Sequence, residues 1–493
     1  MASASGDIAL PRVPNLIGGS DAAPASGQWI LKRSPADGQP SCELARSCEP
    51  DVDAAVAAAR DSQPAWAEVT PVQRGNILRR AAELMQEHAS NLVNEVCRET
   101  GKPPRDARGE LGGAIEMGYF MAGEGRRLYG RTTTSAVPNK TVSFVRAPVG
   151  VAGLIVASNT PLPNYAWKVF PALVCGNAVV LKPSEDTPGS AHHFAHLLHE
   201  AGLPSGVLNV VQGLGGEAGA ALVANPGVDL ISFTGSSAVG RAIQIVAGGR
   251  LAKVCLELGG KNPLVVCDDA DLKAAARAAV LSAFSNAGQR CAAGSRIIVF
   301  DHAYEEFRDL LATAAEKLRV GVDDAADLGP VINERQLSRI LDAITGVLQR
   351  GGNLLAGGHR LTGPPYYDGC YLQPTLIEQV EADDSITATE LFGPVASLYR
   401  VANFDQALTL ANASPYGLTA AVYTASLHRA MEFTRRVQAG MVVVNGPTYG
   451  SEPHMPFGGF KESGNGFREA GTEGLDVFSE WKSIAIIHDR SLA

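Results

Sequence analysis

The chain has 493 residues, 45% hydrophobic and 19% charged, with a formal net charge of −9. That length exceeds one hydrophobic core and predicts two or three domains, and the composition is that of a globular chain. The negative balance argues against a nucleic-acid or anionic-membrane surface, and the longest apolar runs, such as Val149 to Ala157, fall far short of the roughly 20 residues a membrane helix needs.

Residues 1–15 read as a loose arm, and Met1 to Pro14 lack the basic start and apolar block of a secretory signal. Short apolar pieces between Leu16 and Ser34 suggest edge strands. Val52 to Trp66 has helical spacing. Pro71 to Arg98 reads as one long amphipathic helix, stopped by Thr100-Gly101-Lys102-Pro103. After Gly130, Arg131 to Val145 is strand-like.

From Val149 strands and helices alternate. Strands are predicted at Val149–Val156, Ala178–Lys182, Val207–Val211 and Leu230–Phe233, and helices at Pro163–Val174, Ser190–Glu200, Gly216–Ala224 and Ser237–Ala247. Continuous apolar strands alternating with helices predict a doubly wound parallel sheet. No G-x-G-x-x-G follows its first strand, so the usual dinucleotide fingerprint is missing. A second α/β unit starts near Val254, with strands at Pro263–Cys267, Arg296–Phe300 and Met441–Val444. Its helices are expected at Leu272–Gln289, Ala303–Leu318, Asn333–Gln349 and His428–Val437. Residues 351–385 are Gly/Pro-rich and looser, and Phe478 to Ile487 is a strand-like tail.

The eight cysteines form no CxxC pair, and no Cys/His cluster has zinc spacing. Reduced thiols, a cytoplasmic location and no metal are expected. Cys291 stands between a helix-like and a strand-like run, among Ala292, Ala293 and Gly294. A thiolate there suits attack on carbonyl carbon, although a cysteine taken alone reads first as a small buried apolar residue.

Gly288-Gln289-Arg290-Cys291 followed by Gly294-Ser295-Arg296 resembles the catalytic-cysteine signature of the aldehyde dehydrogenase superfamily. Leu256-Glu257-Leu258-Gly259-Gly260-Lys261 resembles its catalytic-glutamate signature. Lys182-Pro183-Ser184-Glu185, Phe233-Thr234-Gly235-Ser236 and Glu390-Leu391-Phe392-Gly393-Pro394 follow the family's order and spacing. The resemblance runs from Leu16-Ile17-Gly18-Gly19 to Trp481-Lys482-Ser483.

The resemblance implies an α/β fold with two doubly wound parallel-sheet domains of the aldehyde dehydrogenase type plus a small bridging sheet. It implies an NAD-binding domain made of residues 9–129 and 147–254, a catalytic domain of 255–470, and bridging or oligomerisation strands in 130–146 and 471–493. A homodimer or homotetramer is expected, acting on a small-molecule aldehyde, with no nucleic-acid or membrane partner.

The implied reaction oxidises an aldehyde to the acid. Cys291 attacks, giving a thiohemiacetal and then a thioester. Asn159 and the Cys291 N–H meet the oxyanion, and Glu257 activates water. Glu257 argues against a CoA-acylating relative. Retention of these groups argues against an inactive structural or binding homologue. A cysteine hydrolase would need an activating histidine, and His192, His193 and His454 lie in unrelated motifs.

For the cofactor the resemblance points to Lys182, Ser184 and Glu185 at the adenine-side ribose, and to Gly235, Ser236 and Gly240 at the pyrophosphate. Leu258, Glu390 and Phe392 fall at the nicotinamide. The Glu185 carboxylate favours NAD over NADP. Thr160, Asn164, Trp167, Arg290 and Ala292 are expected in the substrate tunnel, with Tyr165 adding a further polar group. The chain departs from the family at Ala157-Ser158 and Thr160, where aromatics are usual. The walls widen there, which points to an aromatic or hydroxylated aldehyde.

Overall fold

A computed structural model describes residues 10–489. The first nine residues of the expected arm lie outside it, and Arg12–Val13 within the arm is a strand, paired in parallel with Glu43 and Leu44. Two seven-stranded sheets carry the fold. The first runs Lys253–Glu257, Leu230–Thr234, Val151–Ile155, Ala178–Lys182, Leu208–Val210, Asn15–Ile17 and Ser20–Ala22. Its first five strands are parallel, and the last two form an antiparallel hairpin at the edge. Val151–Ile155 and Ala178–Lys182 are buried along their whole length. Helices cover both faces, so these strands need no polar alternation.

The second sheet runs Asn353–Ala356, Thr375–Glu378, Val395–Val401, Arg296–Phe300, Pro263–Val266, Thr419–Tyr423 and Met441–Val444, parallel except for the first pair. A third, three-stranded sheet joins Ser479–Ile487, Lys140–Pro148 and Arg131–Thr133. The fold class is the expected α/β one, with two largely parallel sheets and a small third. Among the described residues no helix is long and apolar enough to cross a membrane.

Several elements differ from expectation. Pro71 to Arg98 is two helices, Pro71–Glu87 and Ala89–Thr100, joined at His88. The apolar period continues through the joint, so the pattern does not mark it. The stop at Gly101 is real, but a further helix, Pro104–Glu124, follows. Its glycines lower its intrinsic preference; packing of Leu111, Met117 and Met121 into the core with Leu78 and Phe170 holds it. Thr375–Glu378, Val395–Val401 and Thr419–Tyr423 are strands that the pattern missed. Lys253–Glu257 pairs along its length with Leu230–Thr234, so a division after residue 254 would cut a strand of the first sheet. Glu257 thereby stands at the carboxyl end of that sheet's outermost strand, where open α/β sheets place their ligands.

Candidate active site

The helix that leads to Cys291 is shorter than expected. Asp271 caps it, accepting from Ala274 N–H at 3.0 Å, and it ends at Phe284. Ser285–Gly288 is a tight turn in which Asn286 and Ala287 have φ of 53° and 54°, and Gly288 of 66°. Only glycine fits the third position, because an added Cβ would lie 2.1 Å from the Gly393 carbonyl. This contact clamps the Cys291 turn to the Glu390–Gly393 loop. Asn262 Nδ2 donates to the carbonyls of Cys291 at 2.7 Å and Ala293 at 2.9 Å. Thr448 Oγ1 donates to the Ala292 carbonyl at 2.6 Å. The Cys291 backbone is thus held from several elements at once. Burial pushes its thiol up to about 12, with Glu390 and Glu257 adding to the effect.

Asn159 lies in the turn before the helix Pro161–Val174. Its Nδ2 donates to the Gln289 carbonyl at 3.0 Å, and its Oδ1 accepts from Asn164 Nδ2 at 3.2 Å. Its own carbonyl accepts from Lys102 Nζ at 2.8 Å and from Asn286 Nδ2 at 2.9 Å. Lys102 is buried and ion-paired with Glu110.

Both carboxylate oxygens of Glu257 are buried without a hydrogen-bond partner among the described residues. Burial raises its pKa well above the ordinary value, and the nearby charge of Glu469 raises it further. Behind it, Lys168 pairs with Glu469, and Lys168 Nζ also donates to Ser232 Oγ at 2.8 Å. The Glu390 carboxylate accepts the Gly260 N–H at 3.0 Å, and burial holds its pKa up at about 7. Phe392 takes a left-handed φ of 56°, its carbonyl bonded by Gln336 Nε2 at 3.2 Å.

One cleft of about 990 Å³ brings together Asn159, Thr160, Asn164, Trp167, Gly235, Ser236, Glu257, Leu258, Arg290, Cys291, Ala292, Glu390 and Phe392. Gly235 and Ser236 open the helix Ser237–Gly249, with Ser236 as its cap. Gly240 lies one turn on, where an added Cβ would meet Leu258 Cδ2 at 2.6 Å. Lys182, Ser184 and Glu185 do not line this cleft; they sit at the carboxyl end of Ala178–Lys182, where Lys182 Nζ is 3.6 Å from Glu185 Oε2. Tyr165 is not a tunnel residue. It faces the core and donates to the Thr187 carbonyl at 3.0 Å, while Trp167 meets Phe457 edge-on at 5.6 Å and lines the cleft.

Sequence reasoning missed Lys168, Glu469, Lys102, Tyr449 and Arg105. A lysine inside the apolar run Ala166 to Phe170 was the one available signal. Arg290 stacks on Tyr449 at 4.9 Å and donates to Ser285 Oγ at 3.3 Å. No carboxylate of the described residues pairs with it, whereas Arg105 stands near Asp106 and Asp327, each at 3.6 Å.

The chain is 36% identical over 475 residues to the alpha-ketoglutaric semialdehyde dehydrogenase of Bacillus subtilis (strain 168), covering 96% of this chain and 97% of that protein. It is 39% identical over 439 residues to the alpha-ketoglutarate semialdehyde dehydrogenase of Haloferax volcanii, covering 89% and 91% respectively. Its fold matches betaine aldehyde dehydrogenase from Staphylococcus aureus, solved in complex with NAD+, with a TM-score of 0.94 at 30% identity, over 96% of this chain and 95% of that one. The model of the aldehyde dehydrogenase family matches residues 23–484, and the chain belongs to that family.

Proposed function

We propose that the chain oxidises a short aldehyde bearing a carboxylate to the corresponding dicarboxylic acid, using NAD. The observation that carries the chemistry is Glu257, a buried carboxylate without partners that shares a cleft with Cys291. A resting thiol held up at about 12 needs a base before it can attack. Glu257 takes that proton, directly or through one water. The Cys291 sulfur then bonds to the aldehyde carbon, and the oxygen gains negative charge. Asn159 Nδ2 and the Cys291 N–H meet that charge, each such donor contributing roughly 10²–10³-fold in rate. NAD, when bound, supplies the acceptor for the hydride that leaves this carbon. The Cys291 thioester remains. Glu257 releases its first proton to solvent and then removes one from water, the hydroxide attacks the thioester carbon, and the carboxylic acid leaves as Glu257 returns that proton to the Cys291 sulfur.

The residues fit that cofactor. The start of the Ser237–Gly249 helix offers backbone N–H groups to a pyrophosphate. Glu390 is fixed beside Gly260, and Lys182 and Glu185 stand as a pair at a strand end, suited to ribose hydroxyls. On this reading residues 10–129 and 147–257 serve NAD binding, with the Cys291 side built on the second sheet. The carboxylated substrate rests on Arg290, whose guanidinium lines the cleft without an anionic partner, and on the names of the two relatives. It is favoured over the aromatic or hydroxylated aldehyde because neither of those uses that charge. We further read the chain as a homodimer or homotetramer, since Ile484, Ile486 and Ile487 on the tail strand are exposed.

The test is NAD reduction with 2-oxoglutarate semialdehyde, benzaldehyde and glyceraldehyde, with and without CoA. A kcat/KM highest for the semialdehyde and independent of CoA supports the reading. A CoA requirement, or preference for benzaldehyde, overturns it.

A further inference from the structure

We propose that Asp21, His192 and His196 form a binding site for one divalent transition-metal ion of the zinc or nickel kind. The site lies where the edge hairpin of the first sheet meets the helix Pro188–Glu200. None of the three lines the Cys291 cleft.

That helix holds four of the chain's 10 histidines: His192, His193, His196 and His199. His192 and His196 are one turn apart, so their rings share a face. Asp21 reaches that face from Ser20–Ala22, the outermost strand of the sheet. His192 Nε2 lies 2.8 Å and His196 Nε2 3.2 Å from the same oxygen, Asp21 Oδ1, and the two ring nitrogens are 3.3 Å apart. Donors held about 2.1 Å from one ion stand about 3.0–3.4 Å apart, the edges of an octahedron or a tetrahedron. The triangle already has nearly that size.

Without a cation both ring nitrogens converge on the one carboxylate oxygen. The other two histidines are engaged: His199 bonds the carbonyls of Leu203 and Leu208, and the His193 ring meets His88 edge-on. Two imidazoles and one carboxylate suit zinc, nickel or copper better than magnesium or calcium, which prefer oxygen. Asp21 and His196 are half exposed, which leaves room for water to complete the shell. Among the described residues this is the one such group. The His192–His196 spacing is visible in the sequence, but its third ligand is 171 residues from His192. Bound ion would clip the hairpin to the helix that follows the Lys182–Asp186 turn.

The experiment titrates the full chain, kept reduced, with NiCl2 by calorimetry and follows the melting temperature. Wild type should bind one Ni2+ and melt higher when saturated, because an ion held only by the folded state stabilises it. His196→Gln and Asp21→Asn should each weaken that binding at least about tenfold and abolish the melting shift, with dehydrogenase turnover in metal-free buffer unchanged. Equal binding by wild type and both variants would place the ion on thiols and overturn the proposal. So would an absence of binding to wild type at millimolar Ni2+.

Discussion

Asn159 Nδ2 and the Gln289 carbonyl are hydrogen-bonded at 3.0 Å, two residues before Cys291. The amide that meets the oxyanion in the proposed reaction is therefore aimed at the Cys291 turn before any substrate arrives. Asn164, Lys102 and Asn286 fix it from behind. Little reorganisation remains when charge develops.

Replacing Asn159 with Ala should lower kcat roughly 10²–10³-fold while changing KM much less. Steady-state kinetics with the preferred aldehyde measures this. A loss confined to KM would mean that Asn159 only binds substrate.

Glu257→Gln should slow thioester hydrolysis more than hydride transfer. Stopped-flow traces should show a burst of reduced cofactor followed by a near-stalled steady state. Equal slowing of both phases would mean that the Glu257 step limiting turnover is thiol deprotonation and not thioester hydrolysis.

The pH profile follows from the raised pKa of Glu257, caused first by burial and then by Glu469. Its base form grows with pH, so kcat should climb to a midpoint well above the roughly 4.3 of a free glutamate. Glu469→Gln removes the second cause and should move that midpoint down. Stability runs the other way. The folded state holds the Glu257 proton more tightly than the unfolded chain, so stability falls as pH rises from the unfolded pKa through the folded one. Glu257→Gln should therefore melt above wild type at alkaline pH and gain nothing in acid.

Cofactor choice rests on Glu185. NADP would set a phosphate of about two negative charges against this carboxylate. At an effective dielectric of roughly 20, like charges a few ångströms apart cost a few kcal/mol, and Lys182 offsets part of that. NAD should lead by roughly tenfold to a thousandfold in kcat/KM, each tenfold being about 1.4 kcal/mol. Glu185→Ser should narrow the gap. An unchanged ratio in that variant would remove Glu185 from the account.

The tail strand pairs with Lys140–Pro148 on one side only, and Ile486 and Ile487 are 60% and 68% exposed. Such an edge invites a partner. Light scattering at micromolar concentration should give a dimer or tetramer, and Ile486→Asp should shift it toward smaller species. A wild-type monomer would refute the assembly.

Motif residues were legible because their chemistry is local in sequence. Cys291, Glu257, Asn159 and Glu390 each sit in a short segment with its own spacing, and the cleft collects them. Lys168 and Glu469 were not legible, because 301 residues separate the partners and neither segment announces the other. Tyr165 was misplaced for a geometric reason. Successive helix residues diverge by about 100°, so it faces the core while Asn164 faces the cleft. Two strands of the second sheet, Thr375–Glu378 and Val395–Val401, went unread because each stands beside irregular segments. Pairing with neighbours distant in the chain makes them strands.

Glu257 ends a strand of the first sheet, whereas Cys291 leads into Arg296–Phe300 of the second. The proton acceptor and the sulfur are thus mounted on separate slabs, and their spacing is a property of the seam between them. A small slip along that seam would part the two groups while both slabs kept their internal ladders. Warming or mild denaturant should therefore silence turnover before far-ultraviolet circular dichroism registers any change.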